Sequence, residues 1–194
     1  GIVNPLDTAI TTFRKVVIIG YKKIDEIPFD FSRRKMSVVV EKTRKRTLIT
    51  KGAPEEVFKS CKKVPSYAIK QYEQFSKDGY RVLAIAVKTV RKQKQYTKKD
   101  EKSMKFLGFT TFLDPPKNDA RTHLKELKKM NVEVKVITGD NELVTKKICD
   151  ELGLEIKGIL LGEELNKITD DALCVKVEKT TIFARFSPDQ KNRV

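Results

Sequence analysis

The sequence predicts an α+β region followed by an α/β region. Helical and strand-like segments are mixed as far as Leu113, Asp114-Pro115-Pro116 then interrupts the chain, and strands alternate with helices after it. The first pattern is typical of an antiparallel sheet with flanking helices, and the second predicts a parallel sheet with helices on both faces. Successive prolines restrict the backbone and suit a boundary. We therefore expect one domain at 1–113 and another at 114–194.

The first region contains three predicted helices and five predicted strands. A helix starts after Pro5 and covers 6–13, Pro54 opens a second helix, and a third covers 67–77 and ends at Gly79. Proline is favoured in the first helical turn and glycine just after the last one. Residues 43–46 form a charged turn between two strands. The predicted strands are 24–31, 36–42, 47–50, 82–90 and 106–113.

The second region has the alternation of a parallel sheet. A helix over 119–130 carries Leu124, Leu127 and Met130 on one apolar stripe. Further helices cover 141–152, surround Leu165 and Leu173, and begin at Pro188. The predicted strands are 132–137, 158–161 and 181–184.

The composition narrows the classes of partner. Lysine and arginine number 41 against 26 acidic residues, for a formal charge of +15. Such an excess predicts attraction to an anion such as nucleic acid, acidic lipid or a nucleotide phosphate, or simply a lysine-rich solvated surface. Aromatic residues rarely alternate with the basic ones, so we expect no nucleic-acid partner. No apolar run approaches the roughly 18 residues that a spanning helix requires.

The cysteines and the single histidine exclude other classes of site. Cys61, Cys149 and Cys174 are far apart and odd in number, which argues against a disulfide framework or a zinc site and favours a reducing cytosol. His123 is the only histidine, so a histidine-rich metal site or a histidine-dependent triad is excluded, and we expect it on the surface of a helix. We predict no metal ligands in this chain.

Thr138-Gly139-Asp140 lies between a predicted strand and a predicted helix. Ligands of open α/β sheets collect at the carboxyl ends of strands, where helix N-termini favour phosphate. The threonine hydroxyl can donate a hydrogen bond to a phosphoryl oxygen. Lys191, which follows another strand, can supply a fixed positive charge. The alternatives are an ordinary turn with Asp140 as the helix N-cap, and a solvated lysine.

Two segments of the first region suit a nucleotide. In Phe31-Ser32-Arg33-Arg34-Lys35, an aromatic face beside guanidinium groups can stack a purine and bind phosphate. In Lys51-Gly52-Ala53-Pro54-Glu55, Gly52 permits close approach of a ligand and Lys51 can lie over an anion. The alternatives are a core phenylalanine with solvated cations, and a plain strand-to-helix turn.

Taken in order, these motifs resemble those of the P-type ATPases, over nearly the whole chain. The matching segments are Lys-Gly-Ala-Pro-Glu at 51–55, Asp-Pro-Pro-Lys at 114–117, Thr-Gly-Asp-Asn at 138–141 and the segment from Phe183 through Pro188 to Lys191. The resemblance implies a nucleotide-binding domain joined to a truncated phosphorylation domain of the haloacid-dehalogenase-like, Rossmann-like class. It also implies ATP, with Mg²⁺ bound to the nucleotide, as cofactors.

The resemblance also implies roles for individual residues. Adenine would lie against Phe31 with Asp7 near the base, and phosphate would meet Arg81. Thr138 and Gly139 would hold the phosphoryl group, and Lys191 would neutralise it. The implied nucleotide-binding set is Asp7, Phe31, Arg33, Lys35, Lys51, Gly52 and Arg81, and the implied catalytic set is Thr138, Gly139, Asp140 and Lys191. Asp114 would help to hold the hinge.

A closer likeness is to the bacterial magnesium-transporting branch, carried by Ile-Pro-Phe-Asp-Phe at 27–31 and by Glu-Leu-Val after Thr-Gly-Asp-Asn. We expect this chain to be a piece of a larger membrane protein. The family's Asp-Lys-Thr-Gly-Thr and Gly-Asp-Gly-x-Asn-Asp motifs are both missing from it. The expected partners are ATP and the membrane, actuator and remaining phosphorylation segments of the same pump. The expected location is the cytoplasmic face of a plasma or inner membrane.

Two other functions stay open at the level of sequence. A soluble phosphatase of the haloacid-dehalogenase class, with the first region as its cap, would use the same Thr138 and Lys191. It would need an N-terminal Asp-x-Asp nucleophile, which the sequence lacks. A nucleic-acid-binding module is motivated only by the charge of +15.

Overall fold

The computed structural model describes residues 5–14 and 17–194, which form two compact units. The first unit comprises Gly1–Pro65 and Leu83–Phe112, and the second comprises Ser66–Val82 and Leu113–Val194. The chain therefore enters the second unit for one helix and the start of one strand, and then returns to the first. The proposed domain division between 113 and 114 stays a prediction.

The elements up to residue 113 mix helices with strands, as the sequence predicts. In chain order they are α1 (Pro5–Phe13), β1 (Lys22–Asp30), β2 (Lys35–Lys42), β3 (Lys45–Gly52), α2 (Pro54–Ser60), β4 (Cys61–Lys63), α3 (Ser66–Lys77), β5 (Tyr80–Val90) and β6 (Met104–Leu113). The strands form a six-stranded sheet in the order β1-β2-β3-β5-β6-β4.

The sheet is mostly antiparallel, which confirms the α+β prediction. β2 pairs with β1 and β3, and β3 pairs with β5, all in antiparallel register. The short strand β4 differs, because it lies parallel to β6 at the sheet edge. Strand β4 was not predicted from the sequence, since three residues that include two exposed lysines give no alternating pattern.

The turn between β2 and β3 is tighter than the predicted 43–46. Only Thr43 and Arg44 form it, with φ angles of 50° and 62°. Positive φ at both central residues is the geometry of the two-residue hairpin turn whose twist matches the flanking strands. Because the turn takes two residues, Lys42 pairs directly with Lys45 and fixes the register of the whole hairpin.

The core of the first unit lies on one face of this sheet. Val39, Leu48 and Ala84 are fully buried there, together with Val57 of α2. Phe58 of the same helix makes edge-on ring contacts with Phe106 and Phe109, which lie on β6. These packing contacts fix α2, and therefore the end of β3 that leads into it.

After residue 113, strands and helices alternate. In chain order the elements are α4 (Ala120–Lys129), β7 (Val136–Ile137), α5 (Glu142–Leu152), β8 (Ile159–Leu161), α6 (Gly162–Leu165), α7 (Asp170–Glu178), β9 (Ile182–Ala184) and α8 (Pro188–Lys191). The strands form a parallel sheet in the order β7-β9-β8.

The predicted α/β pattern is confirmed, with two corrections. The strand predicted at 132–137 is only two residues long, since main-chain pairing with β9 is confined to Val136 and Ile137. Val132 is 48% exposed, and the Lys135 ammonium donates to the Val177 carbonyl near the end of α7. Met130 lies beyond the end of α4 and is 65% exposed, so it does not continue the apolar stripe.

Both faces of the parallel sheet carry apolar side chains. Alternation along a strand sends neighbouring residues to opposite faces. Phe183 packs with Leu165 and Leu173, which belong to α6 and α7. Ile182 and Ala184 instead pack with Cys149, which belongs to α5. The helices therefore cover both faces, as expected.

Two further observations concern the surface. Within residues 5–14 and 17–194, no helix combines the length and apolar character needed to cross a bilayer.

His123 has a 65% exposed side chain on α4, between Asp119 and Glu126, which confirms its predicted place on a helix surface.

Leu48→Ala should destabilise the first unit, because Leu48 is fully buried against the helix-covered face of the sheet. We expect its free energy of unfolding to fall by about 2–5 kcal/mol, from lost burial and from the cavity left behind. Urea unfolding followed by circular dichroism measures this. The matched control is Leu107→Ala, since Leu107 is 63% exposed and should change stability by less than about 0.5 kcal/mol. Equal losses would contradict the assignment of the core.

Candidate functional site

The turn between β1 and β2 is organised by Asp30. The backbone N–H groups of Arg33 and Arg34 both donate to the Asp30 carbonyl, at 3.1 and 2.7 Å. The N–H and hydroxyl of Ser32 donate to Asp30 Oδ1 at 2.9 and 2.7 Å. Arg34 has a φ of 46°, in the left-handed region. One residue, through its main-chain carbonyl and its carboxylate, thus organises the turn that carries Phe31.

The charge of Asp30 is strongly favoured. The Lys98 ammonium lies 2.6 Å from Asp30 Oδ2 and is the main reason that the pKa of this carboxyl falls well below its usual range. The hydrogen bonds from Ser32 lower the pKa further. Asp30 therefore keeps its negative charge, and with it the pairing with Lys98, in more acidic solution than an ordinary aspartate would.

Phe31 is an exposed aromatic ring rather than a core residue. It is 65% exposed and makes an edge-on contact with Phe29, at 5.2 Å between ring centroids and 89° between ring planes. Phe29 is itself 51% exposed, and the sequence analysis did not single it out. The signal was present, since residues two apart on a strand share a face. The alternative of a core phenylalanine is therefore wrong.

Lys51 lies near the end of β3 and forms an ion pair with Asp7 of α1. The Asp7 side chain is 53% exposed and that of Lys51 is 32% exposed, so both groups remain accessible to solvent. Opposite Lys51 in the β2–β3 ladder lies Met36. The structure thus brings together two of the residues predicted to surround a nucleotide.

Gly52 is required by close packing of the backbone. It pairs with Lys35, and a Cβ atom at Gly52 would lie 2.4 Å from Lys35 Cβ and 2.5 Å from the Arg34 carbonyl oxygen. The next residue, Ala53, donates its N–H to that same carbonyl at 2.9 Å. The glycine therefore lets the start of α2 contact the turn after Phe31.

Arg33 and Lys35 lie on the face of the sheet opposite to Lys51. Lys35 pairs with Gly52, one position along from the pair of Met36 and Lys51, and successive residues face opposite sides. The Lys35 ammonium donates to the Ser60 hydroxyl at 2.6 Å and approaches Glu101 at 3.9 Å. Arg33 Nη1 lies 2.5 Å from Glu101 Oε2. The structure therefore does not group these two cations with Lys51.

Arg81 belongs to the second unit, where it meets the Thr-Gly-Asp segment. Its Nε lies 3.6 Å from Asp140 Oδ1, and both side chains are nearly half exposed. The neighbouring Asn141 side chain donates to the hydroxyl of Tyr72 on α3. The structure thus brings together Arg81 and Asp140, which the sequence analysis had placed in separate sets.

Thr138-Gly139-Asp140 forms a closed loop at the carboxyl end of β7. The Thr138 hydroxyl donates to Asp140 Oδ2 at 3.0 Å and accepts from the Asp140 N–H at 3.1 Å. The loop is tied to the segment after β9, because Phe186 N–H donates to the Thr138 carbonyl at 3.0 Å and Arg185 N–H to the Asp140 carbonyl at 2.9 Å. A Cβ at Gly139 would lie 3.3 Å from the Phe186 carbonyl oxygen.

The helix after this loop is capped by Asn141 rather than Asp140. Asn141 Oδ1 accepts from the Leu143 N–H at 2.7 Å, so the proposed capping role of Asp140 is wrong. Asp140 is therefore left to pair with Thr138 and Arg81. The eleven-residue helix α5 directs its free N–H groups towards the same edge of the sheet.

Lys191 lies at the end of α8, the short helix after β9. It is exposed, and within the described part of the chain its ammonium group has no hydrogen-bond or ion-pair partner. Since β7 and β9 are parallel neighbours, their carboxyl ends share one edge of the sheet. Lys191 thus follows the strand beside the one that carries Thr138.

An apolar cavity of about 410 Å³ also opens in the second unit. It lies between α4 and α5 beside β7, and Leu124, Leu127 and Val136 are among its lining residues. Thr138 and Asp140 of the predicted catalytic set also line it, whereas none of the predicted nucleotide-binding residues does. Within residues 5–14 and 17–194, no group of three or more acidic, cysteine or histidine side chains is arranged to hold a metal ion.

Comparison with known proteins decides the family. The family model described as "P-type ATPase, cytoplasmic domain N" matches residues 2–119, more than half of the chain. This chain belongs to the P-type ATPase family. The match covers α1 to β6, and therefore the turn with Phe31 and the strand with Lys51.

Individual P-type ATPases match over longer stretches. A magnesium-transporting ATPase, P-type 1, of Escherichia coli is 36% identical over 100% of this chain, and a calcium-transporting ATPase 1 of Lactococcus lactis is 32% identical over 98% of it. A calcium-transporting ATPase of Bacillus subtilis is 30% identical over 93%. The chain spans about a quarter of the length of these relatives, at 22–24%.

Gly52→Ala should lower the stability of this P-type ATPase chain. The added methyl group would overlap backbone atoms of Arg34 and Lys35, which cannot move without breaking the β2–β3 ladder. We expect the free energy of unfolding to fall by about 1–3 kcal/mol, measured in urea. Gly108→Ala is the matched control, since nothing lies within 4 Å of its added Cβ, and it should change stability by less than about 1 kcal/mol. Indifference to Gly52→Ala would refute the close approach.

Proposed function

We propose that this chain binds ATP, with the adenine stacked on Phe31. The observation that carries the proposal is the exposure of the Phe31 ring, which is 65% accessible on a turn held rigid by Asp30. Leaving an aromatic ring in water forgoes the burial energy that it would gain in the core. A flat ligand that covers the ring recovers that energy, and an adenine has the required shape and π-face.

Charged residues of the first unit complement such a ligand. The Lys51 ammonium offers a positive charge to a nucleotide phosphate, and the Asp7 carboxylate accepts a hydrogen bond from the exocyclic amine of adenine. In the structure the two groups pair with each other and remain partly exposed. Binding of ATP would therefore exchange one exposed ion pair, which contributes only about 0–1 kcal/mol, for contacts with the ligand.

The second unit is proposed to bind a phosphoryl group. The Thr138 hydroxyl, which would turn from Asp140 to the ligand, and the N–H groups at the start of α5 supply donors at the edge of a parallel sheet, where phosphate is favoured. Arg81 and Lys191 add positive charge, with Arg81 already beside Asp140. Mg²⁺ would arrive with the nucleotide, bound mainly by phosphate oxygens.

In the whole protein, we propose that this region serves ATP-driven cation transport through an aspartyl-phosphate. The proposal rests on membership of the P-type ATPase family and on relatives named magnesium- and calcium-transporting ATPases. Magnesium is the proposed ion, because the magnesium-transporting relative matches 100% of this chain at 36% identity. The partners would be the membrane, actuator and remaining phosphorylation segments, with this region on the cytoplasmic face.

Phe31→Ala should abolish most ATP binding without unfolding the chain, since the ring makes little core contact. Loss of one base–aromatic stack costs about 1–3 kcal/mol, which weakens affinity roughly 5- to 150-fold. Isothermal titration with ATP at two salt concentrations measures it.

The matched control is Phe13→Ala, because Phe13 is 92% exposed and should leave ATP affinity unchanged. A DNA duplex is titrated in parallel. Duplex binding that collapses with salt and ignores Phe31, without binding of ATP, would favour a charge-driven nucleic-acid module and overturn the proposal.

These 194 residues should bind ATP without turning it over. The sequence carries no Asp-Lys-Thr-Gly-Thr motif, so the family's nucleophile is missing from it. Release of inorganic phosphate from ATP should equal that of a protein-free blank. Phosphate release that is abolished by Thr138→Ala would contradict this expectation and favour the phosphatase alternative.

A further inference from the structure

Glu101 is a buried carboxylate far along the chain from the turn that carries Phe31. Its side chain is only 2% exposed, although it follows an exposed stretch of polar residues. Burial of a charged group is costly unless it is paired and hydrogen-bonded. Glu101 is a residue of this kind that the sequence analysis did not identify.

Both oxygens of Glu101 are engaged. Oε2 lies 2.5 Å from Arg33 Nη1, and Oε1 accepts from the Ser37 hydroxyl at 2.6 Å. Ser37 in turn shares a 2.7 Å hydrogen bond with Thr50 across the β2–β3 ladder. Lys35 adds a second positive charge at 3.9 Å. The carboxylate is thus tied to the turn through Arg33, to β2 through Ser37 and, by way of Ser37, to Thr50 of β3.

The backbone around Glu101 is itself held in place. Thr97 and Asp100 form a reciprocal capping box on the short 3₁₀ turn Lys98–Asp100. The Lys88 ammonium donates to the carbonyls of Asp100 and Lys102, at 3.2 and 2.9 Å. Glu101 therefore reaches the turn from a fixed support on β5 and the segment after it.

Arg33 has all three nitrogens of its guanidinium group occupied by this chain. Nη1 meets Glu101, Nε lies 3.3 Å from Asp30 Oδ2, and Nη2 donates to the Pro28 carbonyl at 2.9 Å. The side chain is only 15% exposed. A guanidinium bound on three sides in this way connects the two ends of the turn and is poorly placed to reach a phosphate.

We propose that Glu101 is a positioning residue for nucleotide binding, acting through its ion pair with Arg33. The pair fixes the turn 31–34 from the buried side, so that the Phe31 ring is held outward before a ligand arrives. Arg33 then contributes to affinity through the turn and not by touching phosphate. This inference rests on the proposed ATP binding. Pre-ordering of a binding surface raises affinity because less ordering remains to be done on binding.

A phosphate-binding role and a positioning role of Arg33 predict different losses of affinity when its side chain is removed. If Arg33 held phosphate, its removal would weaken ATP strongly and adenosine hardly at all. If it positions Phe31, removal weakens every ligand that has an adenine by the same factor. Arg81→Met provides the contrast, because Arg81 is proposed to meet phosphate.

The experiment measures affinity for adenosine, AMP, ADP and ATP by chemical-shift titration. The chains compared are the wild type, Glu101→Gln, Arg33→Met, the double variant and Arg81→Met. We expect Glu101→Gln and Arg33→Met each to weaken all four ligands by a similar factor, about 3- to 30-fold, and the double variant to lose little more, since the two residues act as one unit. The loss in Arg81→Met should grow from adenosine to ATP.

A loss in Arg33→Met that grows with the number of phosphates, and adds to that of Glu101→Gln, would overturn the inference. Should Glu101→Gln or Arg33→Met fail to unfold cooperatively, Arg33→Lys decides by the same series. The lysine keeps a positive charge beside Glu101 but cannot make the three contacts of the Arg33 guanidinium group. We therefore expect the affinity for all four ligands to fall by the same factor.

Failure of the wild type to bind any of the four compounds would overturn the proposed function itself, and this inference with it. A wild type that binds ATP while Glu101→Gln binds all four ligands unchanged would overturn the inference alone. The ring resonances of Phe31 provide an independent check, since they should shift in Glu101→Gln without ligand.

Discussion

The pairing of Lys35 with Gly52 in the β2–β3 ladder is the constraint on which the candidate nucleotide site depends. It fixes which residues share a face: Lys35 turns towards Ser60 and Glu101, whereas Lys51 turns towards Asp7. A shift of one residue would exchange the two faces. The two-residue turn at Thr43 and Arg44 prevents that shift, because a hairpin's register follows from its turn length.

The basic character of the chain has a more specific basis than its formal charge of +15 suggests. Around the turn 31–34, each cation has an acidic neighbour: Arg33 lies beside Asp30 and Glu101, and Arg34 beside Glu56. Local charge there is nearly balanced, and the cations stabilise the turn. Net charge thus describes the long-range field of the protein, whereas function at a site depends on which cations keep accessible donors.

Much of the fold was predictable from local signals. The helix opened by Pro54, the strands on either side of Thr43 and the alternation after residue 113 all carry proline, turn or periodicity signals in the sequence. Strand β4 and the short length of β7 could not be predicted, because the pairing of a few residues depends on neighbours that are distant in sequence. The same holds for Glu101, whose contact with Arg33 spans 68 residues. Phe29 lies in the quoted segment Ile-Pro-Phe-Asp-Phe and was predictable by alternation with Phe31, but no role was assigned to it.

A motif locates a cation without saying what the cation contacts. An arginine at position 33 could either bind phosphate or hold the turn together. Both roles are compatible with the same residue type at the same distance from Phe31, so the sequence does not separate them. Only the identity of the groups around the guanidinium separates the two roles, and these are Asp30, Pro28 and Glu101. Lys51 shows the opposite case, since the Asp7 carboxylate with which it pairs is exposed and can be displaced by a ligand. A cation in a motif can therefore serve either the ligand or the scaffold. The role is indicated by how many of its hydrogen-bond donors are already bound by buried groups of the protein.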